Sequence, residues 1–247
     1  MQPPRIVPYG EEAVLIVFGE SFEPQAHLQV TAFSRMLAAE PFPGYVEHVP
    51  SYVSVCVYFD PLQIIEEAAG SPVRLPHEAV IARLQAMLAR LNGAGEELPP
   101  HVSGKQVRIP VCYCPECGPD LPELAASRNM TPEQAAALHS QAKYTVSMIG
   151  FLPGFPYMNG LPEALSTPRL SAPRSAVPPG SVGIAGLQTG IYPMSSPGGW
   201  RLIGRTGAAL FRPDRTPPSL LEVGDEVIFV PLPHHEALSV EVAGRWD

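Results

Sequence analysis

Along the first ~90 residues the apolar positions change period several times, and each change marks a different element. Ala13 to Phe18 (AVLIVF) is an unbroken apolar run of the length of a buried strand. Between Glu23 and Glu40, Leu28, Val30, Phe33, Met36 and Leu37 recur near helical spacing, with Ser21 as the predicted N-cap. Val46–Val49 and Tyr52–Phe59 predict two further strands around Pro50-Ser51, and His77–Leu91 is an amphipathic helix entered after Pro76. The order β-α-β-β-α predicts a small α/β domain over residues 1–91, of the α+β sandwich type.

Residues 92–106 (NGAGEELPPHVSGKQ) are rich in Gly, Pro and polar side chains, which predicts a linker. The texture differs over residues 107–247. Val107–Val111 reads as a strand, and Leu121–Ala126 and Pro132–Ser140 as short helices, the second opened by a Thr131 cap before proline. From Tyr144 onward, short apolar runs (YTVSMIGF, SVGIAG, WRLIG, AALF, EVIFV) are separated by Pro and Gly. Short strands punctuated by turns predict a mainly-β barrel or sandwich. The chain holds no internal repeat.

Composition narrows the function classes. At 45% hydrophobic and 16% charged residues, with 31 prolines and 21 glycines, this is a globular chain with many turns. A net charge of −8 argues against nucleic-acid binding, which needs clustered Lys and Arg. The acid is unevenly spread, however: no Asp or Glu lies between Glu163 and Asp214, a segment that carries Arg169, Arg174, Arg201, Arg205 and Arg212. An all-basic segment in an acidic chain can focus a small anion. The amino terminus lacks a signal-peptide pattern and no stretch reaches the ~18 apolar residues of a membrane span, so the expected setting is cytoplasmic, with no membrane partner.

Three of the four cysteines lie in Cys112-Tyr-Cys114-Pro-Glu-Cys117. A structural zinc site wants four ligands, and the remaining Cys56 belongs to the other predicted domain. Redox chemistry would want the C-x-x-C to open a helix, which Gly118-Pro119-Asp120 interrupts. The expectation is therefore reduced thiols at a strand exit and no metal.

The segment Gly180–Arg205 holds seven glycines, yet it is no phosphate loop. A P-loop needs a lysine, and the chain has two, Lys105 and Lys143, neither following such a loop. Gly180, Gly183, Gly186 and Gly190 do not give G-x-G-x-x-G, and there is no G-x-S-x-G or H-E-x-x-H. What remains is a set of tight turns presenting Gln188, Thr189, Tyr192, Ser195 and Ser196 as neutral donors and acceptors, with Arg205 as a fork for a carboxylate or phosphate. Upstream, His139 sits at a helix end, and the run Gly150–Tyr157 (GFLPGFPY) offers aromatic side chains, Phe155 among them, for a pocket wall or for core.

The runs Leu138-His-Ser, GFLPGFPY, Thr167-Pro-Arg, Ala172-Pro-Arg, Val177–Pro193 and Ser196–Thr206 closely resemble the allophanate hydrolase subunit 1 family, which includes the B subunit of 5-oxoprolinase and the kinase inhibitor KipI. Tyr9-Gly10 and Tyr58–Pro61 resemble its N-terminal domain, so the likeness spans nearly the whole chain. It implies a cyclophilin-like β-barrel after the N-terminal α/β domain. It also implies an activity, the ATP-dependent opening of 5-oxo-L-proline to L-glutamate, shared with carboxyltransferase-type partner subunits C and A. ATP would be bound by the complex, since this chain has no nucleotide motif of its own. Substrate-binding residues would then be Arg174, Gln188, Thr189, Tyr192, Trp200 and Arg205 at a shared interface, with His139, Phe155 and Ser196 in support. Two other readings come with the resemblance: inhibition of a histidine kinase, and membership of a biotin-dependent allophanate and urea-degrading system. Many relatives lack Cys114 and Cys117, which sets those thiols apart from the shared chemistry.

Overall fold

The computed structural model describes residues 3–20, 24–67, 75–93 and 104–239, so Ser21 and most of the predicted linker lie outside the described residues. The chain divides into two compact units, residues 1–102 and 103–247. Among the described residues no helix is long and apolar enough to cross a membrane.

The first unit contains β1 (Arg5–Pro8), β2 (Ala13–Val17), α1 (Pro24–Ala39), β3 (Tyr45–Pro50), β4 (Ser54–Phe59), α2 (Pro61–Glu67) and α3 (Pro76–Gly93). Its antiparallel sheet runs in the order β1-β2-β4-β3. Strand β4 shows the period of two that a one-sided sheet requires: Val55, Val57 and Phe59 are buried, and the residues between them are half-buried. Val30, Phe33 and Leu37 of α1 and Val80 and Leu84 of α3 close the same core. Two elements go beyond the sequence expectation. Strand β1 is a four-residue edge strand, too short to show a period. Helix α2 is seeded by Asp60, whose Oδ1 accepts from the backbone N–H of Leu62 at 2.9 Å and of Gln63 at 3.3 Å.

The second unit contains β5 (Gln106–Val111), α4 (Leu121–Ser127), α5 (Pro132–Gln141), β6 (Tyr144–Ile149), β7 (Pro156–Asn159), a 3-10 turn (Glu163–Leu165), β8 (Arg174–Val177), β9 (Ser181–Ala185), β10 (Gln188–Ile191), β11 (Ser196–Gly198), β12 (Arg201–Arg205), β13 (Glu226–Pro231) and α6 (His234–Ser239). Thr131 caps α5 in a full capping box with Gln134. Seven strands form one sheet in the order β12-β9-β10-β7-β6-β13-β5, antiparallel except for the β13–β5 pair. Its two outer strands meet where β5 runs on into Cys112: Cys112 N–H donates to the Arg205 carbonyl at 2.8 Å, and Arg205 N–H to the Cys112 carbonyl at 2.9 Å. That bridge closes the sheet into a barrel filled by Val146, Val182, Ile184, Ile203, Val227 and Phe229. Strands β8 and β11 form a separate two-stranded ribbon. The AALF run, expected as a strand, is not one. Only an isolated Phe211–Ser219 bridge forms there, because Pro213, Pro217 and Pro218 break up the chain that would have to pair.

Candidate functional site

Alternation along the barrel strands sorts the predicted site residues onto two faces. In β10, Thr189 and Ile191 point to the interior, while Gly190 and, just beyond the strand, Tyr192 belong to the outer face. In β9 and β12, Ala185 and Leu202 share that outer face, and Ile184 and Ile203 fill the barrel. The barrel therefore carries a second, smaller apolar cluster on its outside: Phe155, Val177, Ala185, Tyr192, Trp200 and Leu202.

Phe155 is the hub of that cluster and is 1% exposed. Tyr192 meets it edge-on at 5.2 Å between centroids, Trp200 at 5.5 Å and Phe151 at 5.6 Å, while Tyr157 tilts against it at 4.7 Å. Two glycines make this packing possible. A Cβ on Gly190 would stand 2.8 Å from the Pro156 carbonyl oxygen and 2.9 Å from the Phe155 ring. A Cβ on Gly198 would run into the Tyr192 hydroxyl. At both positions the absent side chain is the space that an aromatic group occupies.

The aromatic side chains enclose a cavity of about 240 Å³ whose rim is completed by Arg169, Pro173, Pro197 and Gly199. Arg169 is exposed, and no carboxylate among the described residues forms an ion pair with it. Burial raises the Tyr157 and Tyr192 phenols above their ordinary value, and the neighbouring Arg169 acts in the opposite direction on both. Arg174 also acts on Tyr192, and the Trp200 backbone N–H faces its oxygen. The two tyrosines thus remain protonated at neutral pH beside positive charge, able to donate a hydrogen bond to an anion.

Of the residues singled out in the sequence, Tyr192, Trp200 and Phe155 line the cavity. Arg174 lies close enough to act on Tyr192 but is committed elsewhere. Its Nη2 donates to Asp120 Oδ1 at 2.6 Å, while its buried Nη1 has no hydrogen-bond partner among the described residues. Asp120 in turn accepts from Leu202 N–H at 2.7 Å through Oδ2 and donates its own N–H to the Leu202 carbonyl. The structure does not bring the others to the cavity. Gln188 begins β10 beside the exposed Gly186-Leu187 hairpin tip. The buried Ser196 hydroxyl turns to the Pro197 carbonyl at 3.2 Å. Arg205 Nε donates to the Pro179 carbonyl at 2.9 Å, so its fork is partly used by backbone. Arg169 and Tyr157 were both present in the motif runs. What identifies them is the fold, which sets the Gly150–Tyr157 run and the segment around Arg169 against the same face.

His139 and Thr189 meet inside the barrel instead. The Thr189 hydroxyl donates to the Gly183 carbonyl at 3.0 Å, so toward His139 Nε2, at 3.1 Å, it can only accept. The imidazole proton is therefore on Nε2, and Nδ1 accepts from the Tyr113 hydroxyl at 2.8 Å. Full burial, stacked on Phe229, holds His139 down to about 3, so it is neutral and both ring nitrogens are used. It is a packing residue, with no lone pair left for a substrate proton.

The cysteine run has a neighbour that sequence spacing did not reveal. The exit of β5 and the start of α6 bring Cys112, Cys114, Cys117 and His234 together, with one ligand-type atom of each within 4.8 Å of the others. The fourth donor sought in Cys56 is thus supplied by His234, 117 residues beyond Cys117.

Comparison with known proteins adds identity to this geometry. The family described as carboxyltransferase domain, subdomain C and D, matches residues 4–221. A Bacillus subtilis protein named as the B subunit of 5-oxoprolinase is 42% identical over 92% of this chain and 92% of its own. A Haemophilus influenzae protein of the same name is 41% identical over 92% and 97%. The crystal structure of TTHA0988 superposes with a TM-score of 0.73 at 33% identity, covering 90% of this chain and 40% of that longer one.

Proposed function

The chain belongs to the carboxyltransferase subdomain C and D family, and from that membership we propose that it serves as the B subunit of an ATP-dependent 5-oxoprolinase, acting with partner subunits C and A. The observation that carries this reading is its 41–42% identity, over nearly the full length of both chains, to two proteins that bear that name.

The outer-face cavity suits the substrate. 5-Oxo-L-proline has a small apolar ring, one carboxylate and one lactam. The ring would lie against the faces of Phe155 and Trp200, excluding water. Arg169, the cation at the rim, would pair with the carboxylate. The protonated Tyr157 and Tyr192 hydroxyls would be the donors toward the lactam oxygen, where negative charge develops as the ring opens.

The cavity has little to hold a triphosphate. The cavity rim offers one arginine, and of the two lysines in the chain Lys143 lies 3.6 Å from Glu226 and Lys105 precedes β5. The reading therefore leaves ATP to the complex and gives this chain a part in binding and orienting 5-oxoproline.

The test is reconstitution. This chain is co-expressed with its two partner subunits, and ATP-dependent glutamate release from 5-oxoproline is measured with each of the three omitted in turn. Activity is expected only when this chain and its partners are all present. A full complex that releases no glutamate, or one equally active without this chain, overturns the assignment.

A further inference from the structure

We propose that Cys112, Cys114, Cys117 and His234 form a tetrahedral zinc site that fastens the C-terminal helix α6 to the exit of strand β5.

The first support is geometric. Cys114 Sγ and Cys117 Sγ each lie 3.4 Å from His234 Nδ1, and all four donor atoms lie within 4.8 Å of one another. A tetrahedral zinc with Zn–S of about 2.3 Å and Zn–N of about 2.0–2.1 Å has S···N edges of about 3.5 Å and S···S edges of about 3.8 Å. The two sulfur–imidazole contacts already match such an edge. The widest pair would close by about 1 Å, within the reach of a rotating cysteine side chain.

The second support is the chemistry of the set. Three thiolates and one imidazole are the soft, borderline donors that select zinc over magnesium or calcium, and three sulfur charges against a divalent ion leave a net −1. Part of that charge has a donor in place: the Cys114 backbone N–H points to Cys112 Sγ at 3.4 Å. Cys112 and Cys117 are each 3% exposed, and Ala237 and Leu232 pack with the cysteines. Four protein donors in a partly apolar shell leave no open position, so the site is structural.

The third support is topology. Cys112 is the residue through which β5 bridges β12, and Cys114–Cys117 form a tight turn with Cys117 N–H and Gly118 N–H both donating to the Cys114 carbonyl. His234 enters from the far end of the chain, just after Leu232 N–H donates to the Val111 carbonyl at 3.0 Å. Helix α6 is six residues long, and outside this cluster the Gly207 N–H donates to its Ala237 carbonyl at 2.9 Å. A metal at this point would clamp β5, its following turn and α6 at the barrel seam.

The experiment uses the full chain, purified without an affinity tag and without chelator under reducing conditions. Elemental analysis should find about one zinc per chain. Cobalt exchanged into the same protein should give the thiolate-to-cobalt charge-transfer band and visible absorption of a tetrahedral sulfur site. His234→Ala and Cys114→Ser should each lower zinc affinity at least about tenfold in a chelator competition. The zinc content and cobalt spectrum of the wild-type chain decide the matter even where a variant misfolds. Wild-type protein that takes up far less than one zinc after supplementation overturns the proposal. So does a folded His234→Ala/Cys114→Ser double variant with unchanged zinc affinity.

Discussion

Cys112 and Arg205 exchange both of their backbone hydrogen bonds, at 2.8 and 2.9 Å, although 93 positions separate them in the chain (205 − 112). This one pair joins the two outer strands of the seven-stranded sheet. On one side of it the chain turns into the cysteine cluster; on the other, the Arg205 side chain reaches back to the Pro179 carbonyl. The seam of the barrel and the candidate metal site are therefore consecutive stretches of backbone.

Arg169 is the cation at the mouth of the aromatic cavity. In the assembled complex, Arg169→Ala should raise KM for 5-oxoproline about tenfold or more, in line with the ~1.5–3 kcal/mol of a hydrogen bond to a charged group. Arg169→Lys should recover part of the loss. Steady-state kinetics of glutamate release decide this, and an unchanged KM would remove Arg169 from the site.

Gly190→Ala sets a methyl group 2.8 Å from the Pro156 carbonyl oxygen and against the Phe155 ring, and Gly198→Ala sets one against the Tyr192 hydroxyl. Each should cost about 1–3 kcal/mol through overpacking. Both should also quench or shift the fluorescence of Trp200, which packs edge-on against Phe155. Urea denaturation and emission spectra measure the two effects on the same samples.

Asp120 carries three contacts at once: the Arg174 guanidinium and both backbone groups of Leu202. Asp120→Ala strands a partly buried cation and a buried N–H, with an expected loss of about 2–4 kcal/mol in chemical denaturation. Adding Arg174→Met should restore part of it, since the double variant no longer holds an unpaired charge. A double variant less stable than Asp120→Ala alone would contradict the pairing.

His139 sets a pH dependence whose sign follows from its burial. Its folded value, about 3, lies below the ordinary 6.5, so the folded chain binds fewer protons than the unfolded one between those limits. Its contribution is complete above about pH 6.5 and falls by about 1.4 kcal/mol per pH unit as the pH drops toward 3. Asp225, raised by burial to about 6, works in the opposite sense, gaining stability as pH falls from about 6 to 4. The difference between wild type and His139→Leu isolates the histidine: the gap in unfolding free energy should shrink steadily as pH is lowered below 6.5. A gap that is constant with pH would mean that His139 is charged in the folded protein.

Much of the fold was legible in the sequence wherever a local rule decided the outcome. The Thr131 cap, the strand within Tyr52–Phe59 and the strand-and-turn texture after Tyr144 all follow from residues near one another in the chain. The site was legible only in part, for the same reason. Tyr192 stood out by residue type and Trp200 came with the family resemblance, but Thr189 was grouped with them because the face of β10 that it occupies depends on register with β9 and β7. Arg169 stood among five arginines with nothing local to separate it from Arg205. His234 could not be assigned to the cysteines from spacing at all, because its place is set by the parallel pairing of β13 with β5.

That pairing also fixes an order of events. Strand β13 lies between β5 and β6, so these two strands, neighbours among the strands of the sequence, have no partner in each other and wait for residues 226–231. On a ribosome, where domains form from the amino terminus onward, residues 1–102 can complete their core long before β13 has been made. The barrel must remain open, with both flanks of the gap bare, until residues 226–231 have emerged. Its birth is a single late insertion, and the interval before it is when this protein is most open to misassembly or to capture by a chaperone.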